Sequence, residues 1–249
     1  MENHRTIRLM TYNVHSCVGI DRQLSHRRIT EVIAAFEPDI VALQELDVGK
    51  VRSDRIDQAQ VIAQMLNMKF HFHPAIEVEE EKYGDAVFSR FPLRLIKAET
   101  LPTVRGAGRV LPRRGALWVA VDVDGLNVNV INTHMGVNSR ERGAQSRALL
   151  GEEWAAHPDC RSPVILCGDF NAVPASPAYR RMRRRFRDAQ RCLKFRHRHR
   201  TYPARYPLIR IDHVFISTGI EVLSLEVPST PLTRVASDHL PLIADLRLS

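Results

Sequence analysis

Residues 162–174 run Ser162-Pro163-Val164-Ile165-Leu166-Cys167-Gly168-Asp169-Phe170-Asn171-Ala172-Val173-Pro174. A short apolar segment made for burial ends in a glycine, an aspartate and, two places on, an asparagine. Such a pair either shapes a turn or is the reason the strand exists. Extended-chain alternation would set Asp169 and Asn171 on one side, with Phe170 packed on the other. Gly168, lacking a Cβ, would let another segment approach closely.

The same punctuation recurs along the chain. Residues 6–14 read as a strand ending in Thr11-Tyr12-Asn13-Val14-His15, and the apolar residues 40–43 end in Gln44-Glu45. A strand over 126–133 ends in Asn132-Thr133-His134. Arg210-Ile211-Asp212-His213 opens another strand, and Ser237-Asp238-His239 precedes the last one. One such ending is a cap or a turn, because Asn, Asp and His satisfy loop backbone groups. Six of them, supplying carboxylates, carboxamides and imidazoles, point to a site where loops leave a sheet edge.

Between these points β-branched runs alternate with helical stretches. Helices are expected over 25–36, capped by Ser25 and stopped before Glu37-Pro38, then over 57–66, over 139–156 and after Pro177. Further strands are expected over 70–75, 85–89, 93–100, 116–123, 164–167, 211–217, 221–227 and 242–248, with Asp124-Gly125 as a hairpin turn. That is many strands for one open sheet. An α/β architecture of two packed mixed sheets flanked by helices follows, in one domain spanning residues 1–249.

Composition narrows the class. The chain is 44% hydrophobic and 26% charged, with no apolar run long enough to span a membrane. Its start, MENHRTIRLMTYNVH, lacks the pattern of a secretory signal. Cys17, Cys160, Cys167 and Cys192 have no CxxC spacing, so reduced thiols and a cytoplasmic location are expected. The net charge of +8 is one local feature. A block that opens at Arg180 and closes at Arg200 holds 11 of the 36 basic residues and one of the 28 acidic ones; the other 25 basic and 27 acidic residues leave −2. The block contacts phosphates or anionic lipid heads, or it is a solvated helix face backed by Tyr179, Met182, Phe186, Ala189 and Leu193.

Glu45, Asp169 and Asp238 are oxygen donors of the kind that hold Mg²⁺ or Mn²⁺. Zinc is disfavoured by the lack of an HExxH helix or a cysteine set. A hard cation with imidazoles and carboxamides around it suits phosphoryl chemistry, where donors stabilise the added negative charge of the transition state. With neither a P-loop nor a GxSxG elbow in the sequence, water is the expected nucleophile.

The ordered set TYNVH (11–15), LQELD (43–47), KYGDAVFSRFP (82–92), INTH (131–134), CGDFN (167–171), IDHVF (211–215) and SDHLP (237–241) resembles the endonuclease/exonuclease/phosphatase superfamily. The likeness runs from about Ile7 to Leu248 and is closest to compact bacterial members. It implies a four-layered α/β sandwich like that of pancreatic deoxyribonuclease, and a metal-dependent hydrolase of phosphoesters. Glu45 then matches the principal metal ligand, with Asn13 beside it and Asp238 completing the metal region. Asp169 matches the residue that orients or deprotonates water, and Asn171 helps place water and phosphate. His239 matches the imidazole facing the scissile phosphate and Asp212 the carboxylate orienting it; the general base stays unassigned among these. His134 matches a donor to the phosphate. Arg114 and Tyr83 are further phosphate contacts, with Arg113 and Arg109 as alternatives to Arg114. The implied substrate is a phosphodiester, in nucleic acid or in a phospholipid or other small molecule. A non-catalytic scaffold on the same fold is the remaining reading.

Overall fold

The computed structural model describes residues 5–104, 112–193 and 199–249. Its strands are β1 (Arg5–Asn13), β2 (Ile40–Val48), β3 (Lys69–Val78), β4 (Glu81–Ser89), β5 (Leu93–Thr100), β6 (Gly115–Val123), β7 (Leu126–His134), β8 (Val164–Asp169), β9 (Arg187–Asp188), β10 (Asp212–Ile216), β11 (Ile220–Glu226) and β12 (Leu242–Leu248). They form two six-stranded sheets, ordered β11-β12-β1-β2-β4-β3 and β5-β6-β7-β8-β10-β9. Each sheet has one parallel pair near its middle, β1 beside β2 and β7 beside β8. In these pairs Asn13 is level with Gln44 and His134 with Asp169, so chemistry-bearing residues gather at one end of each sheet.

Alternation assigns the layers. Ile7, Leu9, Ile40, Ala42, Val128, Val130, Ile165, Cys167, Val214 and Ile216 share the core between the sheets. Met10, Tyr12, Val41 and Leu43 point outward instead, against α1 (His26–Ala34) and α2 (Gln58–Leu66). Ile131, Val164, Leu166 and Phe215 pack outward against α3 (Ser139–Leu149) and α4 (Pro177–Met182). The order is therefore helices, sheet, sheet, helices. A last short helix, α5 (Thr233–Ala236), precedes β12. Ser25 caps α1 and Asp57 caps α2, accepting Arg28 N–H at 3.1 Å and Gln60 N–H at 2.9 Å.

Three elements differ from the sequence expectation. β2 does not stop at Leu43 but continues to Val48 through a register shift between Leu43 and Leu46. The expected helix over 139–156 ends at Leu149 and continues as turns. The basic block is not one amphipathic helix: α4 ends at Met182, and Arg187–Asp188 adds an edge strand beside β10. The apolar positions behind the expected helix are still covered, with Tyr179, Met182, Phe186 and Ala189 buried. What breaks the helix is Asp188, which accepts Gln190 N–H at 3.1 Å and is taken up by Tyr179 and Arg210. Burying a carboxylate among three donors outweighs continuing a helical turn.

Candidate active site

The inward-facing series of each central strand ends in polar residues. On β1 it runs Ile7, Leu9, Thr11, Asn13; on β7 it runs Val128, Val130, Asn132, His134. The first polar layer joins the sheets. Gln44 Nε2 donates to Asn132 Oδ1 at 2.8 Å and to Thr11 Oγ1 at 3.1 Å, and Asn132 Nδ2 donates to Leu43 O and Ala86 O at 2.8 and 2.9 Å. The next layer is the site. Glu45 would point outward by simple alternation, but the irregularity in β2 gives it φ 64° and turns its side chain to the same edge. Gly168 lies beside Thr133, where an added Cβ would sit 1.9 Å from the carbonyl oxygen. Close approach of β7 and β8 is thus why glycine precedes Asp169. Asn171 is not in the strand but in a left-handed turn, φ 47°, so a turn rather than extended alternation brings it beside Asp169.

At the centre, Asp169 Oδ2 accepts Asn13 Nδ2 at 3.1 Å, and Oδ1 accepts the Asn171 backbone N–H at 2.8 Å. Asp212 is level with Asp169 across β8 and β10. Its Oδ2 accepts His239 Nδ1–H at 2.9 Å and the Thr201 hydroxyl. That bond leaves His239 Nε2 turned to Asp169 Oδ2, 3.7 Å away. Burial raises the Asp169 carboxyl above its ordinary range, reinforced by the charge of Asp212 and opposed by His239. Burial alone would lower His239, but Asp212, Asp169 and Asp238 outweigh it and push the imidazolium up to about 10. The Tyr202 ring lies against it, tilted at 48° with centroids 4.9 Å apart.

The other flank faces a cleft of about 390 Å³ beside Glu45. Asn13 Nδ2 bridges to Glu45 Oε1 at 3.2 Å. His134 spans the two flanks, its Nδ1 3.7 Å from Glu45 Oε1 and its Nε2 3.4 Å from Asp169 Oδ2. Arg114 Nη1, which can only donate, is 2.9 Å from His134 Nδ1. Burial, with the charges of Arg114 and His239, holds the ring neutral, well below its usual range. Its Nε2 faces Asp169 and lies 3.1 Å from Asn171 Nδ2, itself a donor, which donates to Met135 O at 2.9 Å. Tyr83 and Arg114 line the same cleft wall.

The donor set fits a divalent cation. Glu45, Asp85, Asp169, Asp212 and Asp238 lie in a region whose nearby cations include Arg114 and His239, with Arg142 acting on Asp169 and Arg52 on Glu45. Asp212 Oδ1 and Asp85 Oδ2 are buried without a hydrogen-bond partner among the described residues. Asp169, Asp212 and His239 offer ligand atoms within 4.8 Å of one another, but the His239–Asp212 hydrogen bond already uses one nitrogen and one oxygen. Glu45, with 19% of its side chain exposed and Asn13 at its oxygen, is the carboxylate open to the cleft.

Of the residues singled out in the sequence, Asn13, Glu45, Arg114, His134, Asp169, Asn171, Asp212 and His239 meet in this one polar assembly, and Tyr83 lines the cleft beside it. Asp238 is half-buried and acts on His239 through its charge; its carboxylate accepts Ser237 Oγ at 3.4 Å, and none of the described contacts joins it to Glu45. Arg109, and within the basic block His197, lie outside the described residues. His213 is a core histidine whose Nε2 is 2.7 Å from Ala172 O, while its buried Nδ1 has no hydrogen-bond partner among the described residues. Asp85 was not singled out, although it is buried near Glu45 and burial pushes its carboxyl up to about 8. Its signal was a charged residue inside an otherwise apolar strand, Gly84 to Phe88. Thr201 carries no such signal.

Residues 10–239 match the Endonuclease/Exonuclease/phosphatase family. Protein YbhP of Escherichia coli strain K12 is 24% identical over 259 residues, covering 98% of this chain and 97% of its own. The endonuclease/exonuclease/phosphatase of Beutenbergia cavernae is 27% identical, with TM-score 0.72 over 98% of this chain and 72% of that one. The human Nocturnin catalytic domain, 22% identical, shares the fold at TM-score 0.72 over 98% of this chain and 94% of that one. Two packed mixed sheets, the polar edge they share and a match along almost the whole length agree: the chain belongs to the endonuclease/exonuclease/phosphatase family.

Proposed function

We propose that the chain is a Mg²⁺- or Mn²⁺-dependent phosphodiesterase that attacks with an activated water. The observation that carries this reading is the buried Asp169 carboxylate, fixed by Asn13 and the Asn171 N–H and faced by the Asp212-oriented His239. A carboxylate raised above its ordinary range accepts a water proton near neutral pH. His239, cationic and held at Nδ1, presents Nε2–H to an oxygen gaining negative charge, with the neutral His134 ring and the Asn171 amide beside it. Glu45, Asn13 and, from the sequence likeness, Asp238 would hold the metal, which neutralises phosphate charge when bound. Arg114 and Tyr83 would bind the phosphate. A non-catalytic scaffold has no use for this many buried, strained charges.

The substrate is nucleic acid or a phospholipid or other small phosphodiester. The basic block gives limited support to the first, because much of it is engaged in the fold. Arg181 Nη1 donates to Ser146 Oγ at 2.8 Å, Arg185 Nη2 to Ala155 O at 2.6 Å, and Arg187 to Ser217 O at 3.3 Å. Arg187 pairs with Ile216, four residues along β10 from Asp212 and so on the order of 13 Å from the site edge. No helix among the described residues is long and apolar enough to cross a membrane. A cytoplasmic setting is part of the proposal, supported by four free cysteines.

The test is cleavage of bis-p-nitrophenyl phosphate, plasmid, abasic oligonucleotide and glycerophospholipid with Mg²⁺, Mn²⁺ or EDTA. Metal-dependent hydrolysis abolished by Asp169→Ala is expected. No cleavage of any ester with either metal would sink the enzyme reading.

A further inference from the structure

The loop between β2 and α2 brings two cations to the cleft beside Glu45, and the chemistry above uses neither. Arg52 Nε donates to Asp47 Oδ2 at 2.7 Å, and Nη2 donates to Asp47 Oδ1 at 2.8 Å and to Ser16 Oγ at 3.0 Å. The Asp47 side chain is fully buried, yet that of Arg52 is 58% exposed. Gln58 locks the same frame, accepting Asp47 N–H at 2.9 Å and donating to Ser16 O at 2.7 Å. The guanidinium lies over the Tyr83 ring, 5.6 Å from its centre, and Nη1 takes part in none of these bonds. Lys50 lines the same cleft, and its ionic contact with Glu81 is long, 3.9 Å.

An ion pair serving the fold alone would cover both partners. Here a buried carboxylate fixes the position of a cation whose outer edge stays open to the cleft that also holds Glu45, Tyr83 and Arg114. A guanidinium fixed on one edge and free on the other is prepared for an oxyanion. We propose that Arg52 and Lys50 form a subsite for a second phosphate of the substrate, on the Glu45 side of the scissile group. The inference rests on the phosphoesterase reading and names what the substrate carries besides the bond cut. The same phosphate chemistry is offered by a neighbouring nucleotide or by a phosphorylated polyol headgroup.

Calorimetry on the full chain with Mg²⁺ tests it without turnover, comparing thymidine 3′,5′-bisphosphate with thymidine 5′-phosphate and 4-phosphorylated with plain glycerophosphoinositol. One charge-assisted contact predicts ~10-fold tighter binding of the member with the second phosphate in at least one pair. That advantage should shrink at least threefold in Lys50→Ala and in Arg52→Lys, which keeps a charge against Asp47 and so spares the fold. The pair that shows the preference names the source. The KM of thymidine 5′-(p-nitrophenyl phosphate), with and without a 3′-phosphate, gives the parallel reading in turnover. Equal affinity within both pairs, or an advantage unchanged in both variants, overturns the subsite. A binding preference without turnover of any ester keeps the subsite and overturns the phosphoesterase reading.

Discussion

Sheet two carries three buried aspartates, Asp169, Asp188 and Asp212, and the difference between Asp188 and Asp169 separates a charge closed into the fold from one left among other carboxylates. Asp188, beside the far end of β10, is closed. Its Oδ2 accepts Tyr179 and Arg210 Nη2, its Oδ1 accepts Gln190 N–H, and Gln190 Oε1 takes Arg210 Nε at 2.8 Å. One carboxylate meets one guanidinium. Asp169, at the near end, shares its surroundings with Asp212, Asp85 and Glu45, and two neighbouring carboxylate oxygens have no donor. A fold alone has no reason to keep that imbalance, because an unpaired buried oxygen costs about 1–3 kcal/mol. Satisfied charges hold the edge strand; on the proposed function, the crowded carboxylates near Asp169 take a metal ion or the substrate.

Exchange experiments separate the two. Asp169→Ala should lower kcat on any accepted ester 10³–10⁴-fold, about 4–5 kcal/mol in barrier, with no loss of melting temperature. Removing a desolvated acid relieves the native state, so a large drop in stability would place Asp169 with Asp188. Asp188→Ala should do the reverse. It strands Arg210 in a setting where that side chain is 15% exposed, and denaturant unfolding should show a loss of about 3 kcal/mol. Catalysis lost in an Asp188 variant whose stability is intact would break the distinction.

His213 stands between the clusters and sharpens their contrast by pH. Its ring packs on Phe170 and Tyr179, and it feels Arg210 and Asp188 on one side and Asp212 on the other. Burial, helped by Arg210, pushes it down to about 4 from 6.5. For a base lowered on folding, the unfolded chain binds the proton first. The contribution to stability is therefore whole above about pH 6.5 and is lost as the pH falls toward 4. Over that interval the difference between wild type and His213→Phe should change by at most about 3 kcal/mol. A flat difference would mean that the ring is not buried neutral. His239 has the opposite sign: its raised value adds stability below about 6.5 that disappears as the pH rises toward 10.

The sequence made the strands and the polar endings readable because each inward-facing series runs from aliphatic to polar without a break, as from Ile7 to Asn13. Phe170 and Gly168 did what their types suggest. Glu45 was found as a residue but not in its setting: nothing in Leu43-Gln44-Glu45-Leu46 announces a left-handed residue inside a continuing strand. The basic block misled because its apolar spacing of three and four was real, while Arg210, the partner that takes up Asp188, is distant in sequence. Thr201 and Asp85 were missed because their roles exist only once β10, β4 and β2 are assembled.

The smallest effect tests the imbalance directly. If the carboxylates around Asp169 are in excess, an ion that binds the folded chain alone must raise its stability by RT ln(1 + [L]/Kd). At ~30 times the dissociation constant, Mg²⁺ or Mn²⁺ should add about 2 kcal/mol, read as a metal-dependent rise in melting temperature. Glu45→Gln should remove most of that gain, because it replaces the carboxylate open to the cleft with a neutral group of the same shape. Asp188→Asn should lower the starting stability yet leave the metal increment whole, since its cluster is already balanced by Arg210. Sodium at equal ionic strength separates site binding from screening. No increment with either divalent ion, or one that follows ionic strength alone, would mean that protein donors balance the near cluster as fully as they do the far one.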